Sequence, residues 1–433
     1  MPIALVNWPT TDPLRHPQEP LEQEDLRGLD ANHVLPTAAW PGGTFASYHA
    51  YPYYPDFRRH EPALQAYRLD GEADPYAGYL AALRDHHAAL MPTMVTEFGV
   101  PSSIGSAHAG PLGRDQGGHS EQQAMRTDAD LLRRIRRLGL AGGLVFAWTD
   151  EWFKHTWNTV EHQAPADRRP LWHDELTNEQ HFGLVATDAA GAQPEVSLPL
   201  IEGGGLRAVR MHVDESYLHV DLQLASGPVP ITIAVDAVPE VSGHPPPGST
   251  DGDGDHAVRI DPDAATGQAW VRAALDPVQL DYRGPGLQGR PAPQDGWIPF
   301  QLIINRPLVV PGSGPRLAEL QDTGELRNGS WDPADPGYDS RSTWQRSGDG
   351  LRMRIPWAML GLGDPSSRTV VVPSADGTAR TAQVDGVGIT VHAAGRAAAA
   401  GRLTWQTWNA VQYGQRLKAG AADLALAFAQ TSG

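Results

Sequence analysis

The sequence predicts two architectures in one chain: an α/β layer with a parallel sheet, then an antiparallel β-sandwich. Three observations carry the prediction. Up to about residue 200, short apolar runs alternate with amphipathic helical segments. From about residue 205, apolar and polar residues alternate with period two. Between them lies "LIEGGGL", residues 200 to 206, a Gly-rich stretch suited to a hinge. The expected division is therefore 1–200 and 205–433.

Four bounded apolar runs supply the parallel strands: "IALVNW" at 3–8, "FASYHAY" at 45–51, "TMVTEF" at 93–98 and "GLVFAW" at 143–148. Short bounded runs of this kind suit buried parallel strands. Two helices fit between them. "DPYAGYLAALRDHHAAL" places Tyr76, Leu80 and Leu83 on one face, with Pro75 at its start. "SEQQAMRTDADLLRRIRRLG" opens on a capping box, Ser120 with Gln123. Leu131, Ile135 and Leu138 form its apolar stripe, and Gly139 closes it. Strand, helix, strand, helix implies a parallel sheet.

The second half reads differently. "YLHVDLQL", "ITIAV" and "LRMRI" alternate apolar with polar or small residues, the mark of half-buried antiparallel strands. Turn-rich stretches such as "RGPGLQGRPAPQDG" and "WDPADPGYDS" punctuate them. A β-sandwich follows.

Composition excludes several functions. The formal net charge of -17 argues against nucleic acid, which needs basic surface to neutralise phosphates. There is no cysteine, so no disulfide, thiolate metal site or thiol nucleophile is available, and the redox compartment stays open. No apolar run is long enough to span a membrane. The opening "MPIALVNWPT" shows no basic leader or cleavage signal, so a soluble protein without a secretory peptide is expected, its location unknown.

In a β/α barrel the working residues sit where strands end. The first run ends in Asn7 and Trp8. The second ends in His49, Tyr51, Tyr53 and Tyr54. The third ends in Glu97, and the fourth in Trp148, Asp150, Glu151 and Trp152. Aromatic faces pack on the C–H faces of sugar rings, while amides and carboxylates hold hydroxyls. A glycosidic bond needs two carboxyl groups, one to protonate the leaving oxygen and one to stabilise the anomeric centre. His49 and Tyr51 beside Glu97 would hold its charge and orientation. Taken singly, each member has a structural reading: Glu97 as an ion-pair partner, His49 as a satisfied buried histidine, the Tyr residues and Trp148 as packing. Their agreement at successive strand ends points to a site.

These residues resemble the clan of retaining glycoside hydrolases with eightfold β/α barrels, which includes the β-galactosidase-like and cellulase-like families. "VTEFG" looks like the end of the clan's seventh strand, which carries the nucleophile, here Glu97. "SYHAYPYYPDF" is similar to its sixth strand through His49 and Tyr51. "VFAWTDEWFK" is similar to its eighth through Trp148, which would floor the sugar subsite, and "IALVNW" to its fifth. The resemblance covers about residues 1 to 160 and implies a partial barrel, strands five to eight. It implies an oligosaccharide or polysaccharide partner, with Asn7, Trp8, Asp150 and Glu151 binding hydroxyls, and neither cofactor nor metal. The clan's acid/base is a Glu after the fourth strand, usually in an "NE" pair, and that strand has no counterpart here. Glu151 is not at the clan's acid position, and Glu19, Glu22 and Glu24 read as a solvated acidic run. The acid/base is therefore expected outside this chain. Either the chain is a truncated, weakly active fragment, or another chain supplies the missing half, or two copies close a barrel.

The later segments resemble family-nine carbohydrate-binding modules, through "DESYLHVDLQL", "ITIAVD" and "LRMRIPWAMLGLGDPSS". Trp297, Trp331 and Trp344 are either a sugar platform or core. "DGDGD", with Asp251, Asp253 and Asp255, lacks the Gly and bidentate Glu of a calcium loop and reads as an acidic turn. The expected function is a glycoside hydrolase. A carbohydrate-binding scaffold and a transglycosidase are the rivals.

Overall fold

The computed structural model describes residues 1–20, 27–163, 165–238, 241, 244–374 and 378–431. Helices and many strands in several sheets make up a mixed α/β and β-rich chain. Of the acidic run, Glu19 is half-buried, while Glu22 and Glu24 lie outside the described residues.

The four apolar runs form one parallel sheet in sequence order. Its strands are β1 (Ile3–Asn7), β2 (Thr44–His49), β3 (Thr93–Phe98) and β4 (Gly143–Val145). Helix α1 (Pro75–His87) joins β2 to β3, and α2 (Glu121–Arg137) joins β3 to β4. Both start where the sequence signals it. The Asp74 carboxylate accepts from Ala77 N at 3.1 Å ahead of Pro75. Ser120 and Gln123 close a reciprocal box, at 3.3 and 3.0 Å. Tyr76, Leu80 and Leu83 of α1 and Leu131, Ile135 and Leu138 at α2 pack on one face of the sheet, in a core with Tyr48, Val95 and Phe98.

The opposite face is less covered. Val6 of β1 and Leu144 of β4 are about half exposed, at 54% and 52%. They belong to the two outer strands, each paired on one side only. The sheet is thus open among the described residues, and no closed barrel forms.

The β-rich part holds two six-stranded sheets around a second core. Two of the three alternating segments singled out in the sequence are direct partners. Tyr217–Leu224 pairs antiparallel with Gly350–Pro356, so that Leu218 faces Ile355, Val220 faces Met353 and Leu222 faces Leu351. Cross-strand apolar pairs on one face fix that register. In the other sheet Ile231–Asp236 is buried on both faces, since Thr232 and Ala234 are as sealed as Ile231, Ile233 and Val235. Trp297 and Trp344 are core residues, 1% and 0% exposed. Trp331 lies beneath the guanidinium groups of Arg352 and Arg354. Asp255 is fully buried and accepts from Ala237 N at 2.7 Å, so it ties a turn.

Two features join the regions. In the Gly-rich stretch a Cβ on Gly204 would meet Ala398 Cα at 2.4 Å, so the chain lies against the strand Arg396–Leu403 there. The chain end also returns to the α/β part. Tyr413–Leu417 pairs antiparallel with Val185–Ala189, and helix α3 (Ala421–Thr431) buries Leu424 and Ala427 in the α/β core.

Candidate functional site

At the carboxyl ends of the parallel strands opens a cavity of about 650 Å³. Trp8, His49, Tyr51, Tyr53, Tyr54 and Glu97 line it from β1, β2, β3 and the loops that follow. Phe146, Lys154, Trp157 and Glu179 line it after β4, and Asn305 to Leu308 close it from the β-rich part. Its size is that of a small-molecule or sugar site.

Glu97 reaches the cavity through a register slip. Tyr48 pairs with Val95, but His49 pairs with Glu97, so Thr96 is passed over as a bulge. A bulge re-aims side chains by changing which face a residue meets. Here it sets Glu97 beside His49. Tyr51 donates its hydroxyl to Glu97 Oε2 at 2.8 Å, and His49 Nδ1 lies 3.1 Å from the same oxygen. Both neighbours thus hold one oxygen and leave Oε1 to other contacts. Burial pushes the Tyr51 phenol far above its usual range, with the negative charge of Glu97 adding to it. Tyr51 therefore stays protonated and donates at any physiological pH. Its ring is locked edge-on by Phe146 and Phe182, at 6.3 and 5.8 Å between centroids.

Aromatic rings form the walls. Trp8 lies 5.8 Å from Tyr54, Tyr54 lies 5.0 Å from His108, and His108 lies 5.6 Å from Trp157. Burial pushes the His108 imidazole down to about 4, so its neutral ring accepts from Trp157 Nε1 at 3.1 Å. Arg306 caps Trp157 at 4.8 Å from the ring centroid.

Two further carboxylates line the cavity, Asp56 beside the Tyr53–Pro55 wall and Glu179. Glu179 sits in the 3₁₀ turn Asn178–His181, in the long loop after β4. Buried polar side chains hold that loop. Asp174 accepts from Leu176 N at 3.0 Å and Thr177 Oγ1 at 2.8 Å, and Gln180 Nε2 donates to Trp152 O at 2.7 Å. Gln116 Nε2 donates to Glu179 Oε1 at 2.6 Å. Lys154 Nζ lies 3.7 Å from Glu179 Oε2 and 3.1 Å from Glu151 Oε2, and stands 4.0 Å from the Phe146 ring centroid. Burial pushes the Glu179 carboxyl above the usual range. Lys154 opposes that rise, and the charges of Glu151 and Glu97 add to it.

The residues expected from the sequence fall into two sets. Glu97, His49, Tyr51 and Trp8 converge on the cavity. Asn7, Trp148, Asp150 and Glu151 do not line it. Asn7 is buried and spent on its own loop: its amide donates to Thr11 O at 2.9 Å and Leu29 O at 3.0 Å, and its oxygen accepts from Trp8 N at 2.8 Å. Trp148 is 72% exposed and points away, so it floors no subsite there; Phe146, two residues earlier, takes the wall position. Strand β4 ends at Val145, so both aromatics lie beyond the regular alternation on which the expectation for Trp148 rested. Asp150 is buried against Lys418 Nζ at 2.7 Å and Gly183 N at 2.8 Å. Glu151 meets the cavity only through Lys154.

Sequence reasoning missed Glu179, Gln116, Trp157 and Asn305. Glu179, Gln116 and Trp157 close no apolar strand, and Asn305 ends the strand Leu302–Asn305 of the β-rich part, outside the four parallel runs. For Glu179 one signal existed, the Asn178–Glu179 pair inside "TNEQHF", but it lies in irregular chain.

Compared with known protein families, curated proteins and solved structures, the chain matches none. Among the described residues no helix is long and apolar enough to cross a membrane.

Proposed function

We propose that the chain acts on a glycan as a retaining glycoside hydrolase of the β/α-barrel clan, with Glu97 as the nucleophile. The four parallel strands would stand for strands five to eight of the barrel. The observation that carries the reading is Glu97 itself: a strand-end carboxylate, one oxygen held by Tyr51 and His49, on the wall of an aromatic cavity. Glu97 attacks the anomeric carbon and forms a covalent glycosyl intermediate that water then releases. Trp8, Tyr54 and Trp157 offer faces for pyranose C–H surfaces. The exposed Val6 and Leu144 on the two outer strands support completion of the barrel by another chain.

The test is hydrolysis of aryl glycosides by the chain and by Glu97→Ala. Loss of turnover in the variant supports the assignment, and equal turnover sinks it. The cavity's rings equally suit a carbohydrate-binding protein. Retention on insoluble glycans with no turnover in either chain would select that reading.

A further inference from the structure

We propose that Glu179 is the proton donor of the site, so that both carboxyl groups of the reaction belong to this chain. The inference rests on reading Glu97 as the nucleophile. The cavity holds a carboxyl group besides Glu97, carried by the loop after β4.

Three features fit Glu179 to the role. It faces the cavity, with 27% of its side chain exposed, close to the 29% of Glu97. It is anchored mainly through one oxygen: Gln116 holds Oε1 at 2.6 Å, which leaves Oε2 to carry a proton. Lys154 pairs with Oε2 at the longer distance of 3.7 Å and opposes the rise that burial causes without cancelling it. Finally, Glu179 senses the charge of Glu97, which adds to the rise that burial causes. That charge favours the protonated form of Glu179, the form a proton donor needs.

The chemistry balances. Glu97 forms a bond to the anomeric carbon as the bond to the leaving oxygen breaks. The proton of Glu179 moves to that oxygen, and the alcohol departs. Glu97 is now an ester and has lost its charge, so Glu179 gives up its proton more readily and rests as a carboxylate. In the second step Glu179 takes a proton from water, whose oxygen attacks the anomeric carbon and frees Glu97. One glycosidic bond and one water are consumed. Lys154 bridges Glu179 and Glu151 and is a positioning residue.

The experiment compares Glu179→Gln, Glu97→Gln and the parent chain on phenyl and 2,4-dinitrophenyl glycosides of common pyranoses, with and without azide. A proton donor matters for a poor leaving group and little for an activated one. Glu179→Gln should lose roughly 10²–10⁴-fold on phenyl glycosides. It should lose far less in the first step on dinitrophenyl glycosides, and azide should restore turnover by yielding a glycosyl azide. Glu97→Gln should fail on both substrates and resist rescue. Equal losses of Glu179→Gln on both leaving groups, with no azide product, overturn the donor assignment while leaving Glu97 in place. A fully active Glu97→Gln overturns the nucleophile reading instead. A parent chain inert on the whole panel overturns both.

One readout needs no turnover. Carbon-13 NMR follows the Glu179 carboxyl, assigned through its loss in Glu179→Gln. It should titrate at lower pH in Glu97→Gln than in the parent. Identical titrations in the two chains show no coupling and overturn the proposal.

Discussion

Two polar clusters flank the loop after β4, and they use the same residue types for opposite ends. One is the Glu97 cavity. The other, about 260 Å³, is walled by Asp150, His173, Glu175, His181 and Lys418. In the first, a phenol and an imidazole hold Glu97, and an amide holds Glu179, with the partly exposed Lys154 ammonium farther off at 3.7 Å. In the second, Asp150 Oδ1 is closed by the Lys418 ammonium and the Gly183 amide, and Lys418 also donates to His181 O at 2.8 Å. Ligand atoms of Asp150, His173 and His181 come within 4.8 Å of one another, but the Lys418 ammonium already supplies the positive charge beside Asp150. Partners decide the outcome. A carboxylate held by weak or neutral donors keeps an oxygen for chemistry, while one closed by a buried ammonium becomes a rivet between the chain end and the α/β core.

The sharpest way to break this contrast is to remove one carboxylate function and one rivet. Glu97→Gln should lower kcat/KM on the order of 10⁴-fold, the scale seen when a catalytic nucleophile is removed. Its urea midpoint should stay near that of the parent, since Glu97 is partly exposed. Lys418→Met should do the reverse. It leaves Asp150 buried without its cation and costs about 3–5 kcal/mol of unfolding free energy. Urea denaturation measures it, and a loss below 1 kcal/mol would mean that Asp150 is not a structural ion pair.

A finer test concerns the oxygen that Tyr51 holds. A hydrogen bond to a charged group contributes about 1.5–3 kcal/mol, so Tyr51→Phe should lower kcat/KM roughly 10- to 100-fold. Unchanged kinetics would detach Tyr51 from the role given to it.

The rivet cluster also predicts a pH response. Burial holds the His173 imidazole well below its usual range, with the charges of His181 and Lys418 adding to it. The unfolded chain binds that proton near pH 6.5 and the folded chain does not. Between the two values the unfolded state carries more protons, so stability rises with pH there and is lost as pH falls below about 6.5. His173→Gln removes this term. The stability difference between parent and variant should be flat above neutrality and should shrink or invert on acidification. A difference constant from pH 8 to pH 5 would show that His173 does not titrate against folding.

Much of this arrangement was legible in the sequence, and the physical reason is periodicity. The four parallel strands, both capped helices and the paired strands around Leu218 and Met353 follow from apolar spacing and cap chemistry, which act locally. Glu97, His49 and Tyr51 were legible because strand ends in such a sheet share one side. Asn7, Trp148 and Asp150 also stand at strand ends, yet their side chains turn to a backbone loop, to solvent and to Lys418. No local pattern encodes that choice, because the partners lie 4, 22 or 268 residues away. Glu179 was hidden for the opposite reason. Its place depends on a loop without regular structure, fixed by Asp174 and Gln180.

The smallest expected effect tests that distinction at the end of β4. Trp148 and Phe146 lie two residues apart, but only Phe146 borders the cavity, where the Lys154 ammonium rests 4.0 Å from its ring centroid. Trp148 is largely in solvent. Substitutions at such exposed positions usually change stability by no more than about 0.5 kcal/mol. Trp148→Ala should therefore keep the urea midpoint and the kinetics of the parent. Phe146→Ala should raise KM, since it removes a wall ring and loosens Lys154, Tyr51 and the carboxylates they hold. If Trp148→Ala raises KM and Phe146→Ala does not, the sugar lies against the open side of β4, and the cavity is not where the glycan binds.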